Sequence, residues 1–273
     1  MLFWEFWKTF PATTPAIQIS GQCALFSRRK ASNGGAFPSD CMDKPCVSSK
    51  YPREVTWTVG FDGKKLGQVS GRTQQEFGYY SEVGLQDIVA PASPPTIGAR
   101  SRDYSGFLST PVFRPLITNS YPFVKDPDFW KPAQLPAKTV AAVRHVFREQ
   151  FPKVSNCDNP DDINLKEWKY TDTNIRVLKS YKSRADWQLA QVRLEEYRCD
   201  GQADEPFGDQ WYVVTPKLEI SFLDREMWLV DAGDYDNDGK SELVFSIDRY
   251  DQGGYELFYD DFKKHVSFEF SYH

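Results

Sequence analysis

Strand-like segments follow one another from residue 174 to residue 273, and this succession restricts the fold more than any other feature of the sequence. In the last segment, every second residue from Val266 to Tyr272 is apolar or aromatic, a pattern typical of an antiparallel strand that buries one face. Short connections such as residues 251–254 predict hairpins between neighbouring strands. The predicted strands are Asn174–Tyr181, Trp187–Tyr197, Gln210–Thr215, Leu218–Phe222, Glu226–Ala232, Leu243–Ile247, Tyr255–Tyr259 and His265–Tyr272.

A further hairpin is predicted in the N-terminal part of the chain. Strand-like residues 54–59 lead into a second segment, 61–69, which contains Asp62-Gly63 near its start. Asp-Gly between strand-like runs is a strong turn signal. We expect an N-terminal β and irregular region, 1–135, followed by a region of helix and antiparallel strands, 136–273. A single domain that combines the two regions stays open.

One amphipathic helix is expected near 138–151. Apolar residues from Val140 to Phe151 recur there at helical spacing, and Pro152 ends the pattern. Elsewhere the aromatic content of 15 % favours strands over helical bundles, because large flat side chains suit the pleated surface of a sheet. The sequence therefore predicts a mainly β protein of antiparallel sheets, arranged as a meander or in a propeller-like way, with one helix.

Composition argues against two classes of partner. The chain carries 33 Lys and Arg against 38 Asp and Glu, a net charge of −5, whereas nucleic-acid-binding proteins usually show a basic excess. The apolar runs are shorter than the roughly 18 residues that a membrane-spanning helix needs. We expect a soluble protein that binds no nucleic acid and has no membrane span.

The cysteines and the N-terminus bear on the cellular compartment. Two disulfides that leave Cys23 unpaired are the most economical arrangement, and five reduced thiols are the alternative. Residues 1–8 lack the pattern of a secretory signal, so they are expected to belong to a folded element or to a chain that starts upstream. An extracytoplasmic location, periplasmic or secreted, is thus an inference. The five cysteines are Cys23, Cys41, Cys46, Cys157 and Cys199.

An acidic loop lies between two of the predicted strands. Asp234, Asp236 and Asp238 alternate along the chain, Gly239 follows them, and Glu242 comes just before the next strand. Alternate carboxylates can all point inward when a loop curls around one cation, and Ca²⁺ favours six to eight oxygen ligands. The glycine permits the sharp turn that lets the chain continue past the ion. The pattern predicts a calcium site.

This segment resembles the FG-GAP/VCBS type of repeat, the calcium-loop hairpin of integrin α-subunit propellers and of many bacterial extracellular proteins. The resemblance covers roughly residues 226–248, and Glu242 stands where Asp is more usual. An EF-hand is a poorer match, because the twelfth position of the loop is Phe245 and the flanks are strand-like. No second copy at a fixed period supports a complete propeller. By resemblance the ligands are Asp234, Asp236, Asp238, Glu242 and the carbonyl of Lys240.

These features predict a calcium-binding extracytoplasmic β module, structural or adhesive, whose partner is a protein or a glycan. The alternative is a hydrolase with a structural calcium ion. The sequence shows neither the G-x-S-x-G nor the H-E-x-x-H motif, and it contains three histidines. It therefore favours a protein without enzymatic activity, although two carboxylates far apart in sequence could still form a catalytic pair.

Overall fold

The structure is a computed structural model that describes residues 2–4, 24–25, 56–71, 88–89, 116–119, 125–156, 166–197, 206, 208–249 and 252–271. In this part of the chain the protein is mainly β, with antiparallel sheets and a single helix, which confirms the predicted fold class. A propeller-like arrangement stays a prediction.

The regular elements are numbered here in chain order. The strands that precede the helix are β1 (Leu2–Trp4), β2 (Ala24–Leu25), β3 (Thr56–Phe61), β4 (Lys64–Gly71), β5 (Ile88–Val89), β6 (Leu116–Asn119) and β7 (Lys131–Pro132). The helix and the strands that follow are α1 (Ala137–Gln150), β8 (Val154–Asn156), β9 (Lys166–Trp168), β10 (Ile175–Lys182), β11 (Gln188–Leu194), β12 (Gln210–Val214), β13 (Ile220–Arg225), β14 (Met227–Gly233), β15 (Glu242–Arg249), β16 (Gln252–Tyr259) and β17 (Lys264–Ser271). All eight strands predicted after residue 174 are present, and the helix differs from its predicted range by one residue at each end.

The chain divides into two compact units. The first combines Met1–Pro127 with Trp228–His273, and the second is the continuous segment Asp128–Met227. The first unit is therefore discontinuous in sequence.

The second unit is built on a five-stranded sheet with the strand order β13-β12-β11-β10-β7, and it also contains α1 and the β8–β9 pair. Val143 and Phe147 on one face of α1 are fully buried, as the helical spacing of apolar residues predicts. They belong to one core cluster with side chains of β8, β10, β11 and β12. Arg144 on α1 also donates a hydrogen bond from Nε to the carbonyl of Ile175, 3.0 Å away.

The first unit contains the predicted N-terminal hairpin. Strands β3 and β4 pair antiparallel within a six-stranded sheet of order β2-β1-β6-β3-β4-β5. Asp62 and Gly63 form the turn with φ of +50° and +63°, the pair of positive values that a type I′ turn requires and that Asp-Gly accommodates. Trp57, Val59 and Val69 of the hairpin are buried.

The same unit contains a four-stranded sheet whose strand order, β14-β15-β16-β17, follows the sequence. The register pairs Phe245 with Glu256 and Glu256 with Ser267. Val244 and Phe245, which point to opposite faces of β15, are both fully buried. This meander holds the acidic loop at the connection between its first two strands.

Several predictions concern residues outside the described part. All five cysteines lie there, so their pairing stays a prediction, and so do most of residues 1–8. In the described part, no helix combines the length and the apolar character that crossing a membrane requires.

Candidate metal centre

The acidic loop occupies the residues between the end of β14 at Gly233 and the start of β15 at Glu242. A side chain at position 233 would meet the ring of Tyr235, since a Cβ built there lies 2.7 Å from its Cζ. Tyr235 is only 2 % exposed, so its ring is packed in the space that the glycine leaves. Glycine at position 233 thus makes room for the Tyr235 ring at the point where the loop begins.

Four carboxylates converge inside the loop. One oxygen from each of Asp234, Asp236, Asp238 and Glu242 lies within 4.8 Å of the others. Glu242 is 2 % exposed and Asp234 is 9 % exposed, whereas Asp238 lies at the surface. The cluster therefore has a buried inner side and an open outer side, and its oxygens can hold a metal ion.

Backbone amides hold the carboxylates in this arrangement. The two carboxylate oxygens of Asp234 accept hydrogen bonds from the amides of Asp238, at 3.0 Å, and Gly239, at 3.1 Å. Glu242 Oε2 accepts one from the amide of Tyr235, at 2.6 Å, which closes the loop across its base. Asp236 and Asp238 each accept a further hydrogen bond from the amide two residues ahead, at 3.1 Å and 2.9 Å, which is the pattern of an Asx turn.

Two residues of the loop have left-handed backbone conformations, Asn237 with φ of +61° and Gly239 with φ of +86°. Asparagine and glycine are the residues that adopt this region at the lowest cost. No atom lies within 4 Å of a Cβ built on Gly239, so backbone conformation, and not space, favours glycine there.

Burial and the surrounding acids oppose ionisation of Glu242. Burial raises the pKa of Glu242 to about 8, and the charges of Asp236, Asp238 and Asp234 add to the rise, while the hydrogen bond from the Tyr235 amide lowers it. A bound cation would offset both the desolvation and the repulsion. The donor set consists of oxygen atoms alone, the type that hard cations prefer.

Lys240 has a different position from the four acids. Its Nζ lies 2.8 Å from Asp261 Oδ2 and 3.7 Å from Asp260 Oδ1, at the turn between β16 and β17. The hydrogen bond with Asp261 raises the pKa of Lys240, with further contributions from nearby acids. The side chain is thus directed to the neighbouring turn, and the role predicted for its backbone carbonyl stays a prediction.

Sequence reasoning missed a second group of residues, which surround the base of the loop. The amide of Asp62 donates to Asp231 Oδ2, at 3.0 Å, although the two residues are 169 positions apart. The Ser241 hydroxyl donates to Asp126 Oδ1, at 2.5 Å. The Asp62-Gly63 turn was visible in the sequence, but its spacing carries no signal that it meets the acidic loop.

Comparisons of this chain with protein-family models, with curated proteins and with solved structures found no match. The resemblance to FG-GAP/VCBS repeats stays a prediction that rests on the residues of the loop.

Proposed function

We propose that the chain is a calcium-stabilised extracytoplasmic β module with a structural, adhesive or ligand-binding role, and that its partner is a protein or a glycan. The observation that carries the proposal is the convergence of four carboxylates within 4.8 Å of one another around the buried Glu242. Such a loop is ordered at low cost only when positive charge compensates the acids.

Calcium is the cation that the loop fits best. Its ligand atoms come from a short irregular segment, and Ca²⁺ accepts varied oxygen geometry, whereas Mg²⁺ demands a near-octahedral shell and keeps several waters. Zinc and copper sites generally include histidine or cysteine, neither of which belongs to this cluster. Asp234, Asp236, Asp238, Glu242 and the carbonyl of Lys240 are the proposed ligands.

The proposed extracytoplasmic location follows from the affinity for calcium that we expect of this loop. Calcium loops of modest affinity fill at extracellular concentrations of about 1 mM and stay largely empty in the cytosol. The resemblance to repeats of extracellular proteins supports the same compartment and a binding or adhesive role.

Thermal unfolding with excess EGTA, and then with calcium at about 1 mM, tests the proposal directly. A ligand that binds the native state alone adds about 2.7 kcal/mol at about 100 times its Kd, so the midpoint should rise clearly. The variant Asp236→Ala should lose this rise. The variant Glu149→Ala, which removes an exposed carboxylate from α1 in the other unit, should keep it.

An unchanged midpoint in the unsubstituted protein would refute the calcium assignment and remove the main support for an extracellular module. An equal rise with magnesium at the same concentration would retain the metal site and reject selectivity for calcium.

A further inference from the structure

The acidic loop is attached to remote parts of the first unit by three hydrogen bonds. We call this set the loop junction. The Asp62 amide donates to Asp231 Oδ2, at 3.0 Å, and the Asp234 amide donates to the Lys125 carbonyl, at 2.6 Å. The Ser241 hydroxyl donates to Asp126 Oδ1, at 2.5 Å. Two of the bonds begin within the loop itself, and the third ends on β14 directly before it.

The loop junction includes the turn of the β3–β4 hairpin. A Cβ built on Gly63 would lie 3.0 Å from the amide nitrogen of Asp126, so the turn packs closely against that residue. Asp126 in turn accepts the Ser241 hydroxyl. A continuous path of contacts therefore connects the hairpin turn, through Asp126, to the residue that precedes Glu242.

Asp234 belongs to both sets of interactions. Its carboxylate lies in the metal cluster, while its amide donates to Lys125. A change that orders the carboxylate also restricts the amide of the same residue, because only the two side-chain torsions χ1 and χ2 separate the two groups. Order in the loop and order in the junction are thus expected to rise together.

We infer that the loop junction couples cation binding to the attachment of the β3–β4 hairpin, so that the cation holds together the two separate segments of the discontinuous unit. The inference rests on the proposed calcium site. A cation that binds only when the junction is formed stabilises the attached hairpin by mass action, and the hairpin in turn raises affinity for the cation.

Hydrogen exchange of the full chain, with excess EGTA and with calcium, tests the coupling. Calcium at about 100 times its Kd should slow exchange of the Thr56–Phe61 and Lys64–Gly71 amides by up to about 100-fold, if opening of the hairpin releases the ion. The Gln188–Leu194 strand of the other unit is the internal reference and should not change.

The variant Asp126→Ala removes the acceptor for Ser241 without touching a proposed ligand. It should bind calcium, as measured by isothermal titration calorimetry, but calcium should slow its hairpin amides several-fold less than in the parent. Glu219→Ala, an exposed change in the other unit, should match the parent.

The outcomes separate the two proposals. If calcium binds the parent and protects residues 234–242 but leaves the hairpin amides unchanged, the coupling is overturned and the calcium site stands. If the parent shows no calcium binding, both are overturned. The parent alone decides these outcomes, so they hold even if Asp126→Ala fails to fold.

Discussion

At Glu242, burial and charge oppose each other. The side chain is 2 % exposed, and its carboxylate lies among three aspartates that carry like charge. Without a cation, the energetically preferred state of such a group is the protonated one, and for this reason its pKa rises from 4.5 to about 8. The carboxylate that is the most buried of the four is therefore costly to ionise without a cation.

This pKa predicts how stability without calcium depends on pH. The folded state retains a proton that the unfolded state releases above about pH 4.5, so the contribution is complete below that pH and is lost as pH rises through about 8. The urea midpoint in EGTA should fall between pH 5 and pH 8. Glu242→Gln should flatten this slope, since the amide does not titrate.

The controls for this prediction are calcium and a remote glutamate. In the parent, saturating calcium should flatten the slope because the cation displaces the proton. Glu219→Gln, at an exposed position, should keep the parent slope. Parallel curves for the parent and Glu242→Gln in EGTA would contradict the prediction.

At the scale of elements, the Asp62-Gly63 turn requires glycine at position 63 for two separate reasons. Gly63 has φ of +63°, and a Cβ there would also lie 3.0 Å from the backbone nitrogen of Asp126. Backbone nitrogen cannot move aside as the end of a side chain can. The turn therefore needs glycine for its own conformation and for its contact with a distant segment.

Gly63→Ala should accordingly lower the free energy of unfolding by about 1–3 kcal/mol more than Gly239→Ala. Both positions have positive φ, so in both variants the left-handed conformation of alanine costs about 1–2 kcal/mol. Only at Gly63 does the new methyl group meet a neighbour within 4 Å. Urea denaturation of the two variants gives the comparison, and equal losses would show that the contact with Asp126 costs nothing.

The helix, the β3–β4 hairpin and the strands after residue 174 were predictable, whereas the short strands β1, β2 and β5 to β9 were not predicted. The spacing of Val143 and Phe147 is helical, and the alternation in β17 has the period of a strand, because these patterns depend on neighbours a few residues apart. Boundaries moved by up to three residues, as at β15, which begins with Glu242 and not Leu243. Hydrogen bonding to the next strand, and not local composition, decides where a strand begins.

At the scale of the whole molecule, the two units differ in the interactions on which their stability depends. The second unit has its own core, in which Phe147 packs against Phe151, with ring centroids 5.0 Å apart, and against Tyr212, at 6.4 Å. The first unit contains the acidic loop and is formed by two segments that are distant in sequence.

Phe147→Ala should therefore destabilise the second unit and leave calcium affinity unchanged. Removal of a fully buried aromatic ring costs about 3–5 kcal/mol. Phe222→Ala, at a side chain that is 39 % exposed, should cost much less. Hydrogen exchange of α1 and calorimetric titration with calcium measure the two effects, and a weaker calcium affinity in Phe147→Ala would contradict the separation.

The sequence by itself determined the mainly β class, the helix, the strands after residue 174, the Asp62-Gly63 turn and the acidic loop. Each of these features depends on residues that are close together in sequence, through their periodicity or through the backbone preferences of glycine and aspartate. It also indicated which four acids would share the loop, because alternate positions in a tight curl face one way.

Only the tertiary structure decided what surrounds that loop. Asp62 meets Asp231 across 169 positions, and Ser241 meets Asp126 across 115. Such pairs form because many weak contacts together pack two chain segments into one unit. No single residue type or spacing in the sequence predicts the combined effect of those contacts. The burial that raises the pKa of Glu242 has the same origin, since it depends on what packs against the loop.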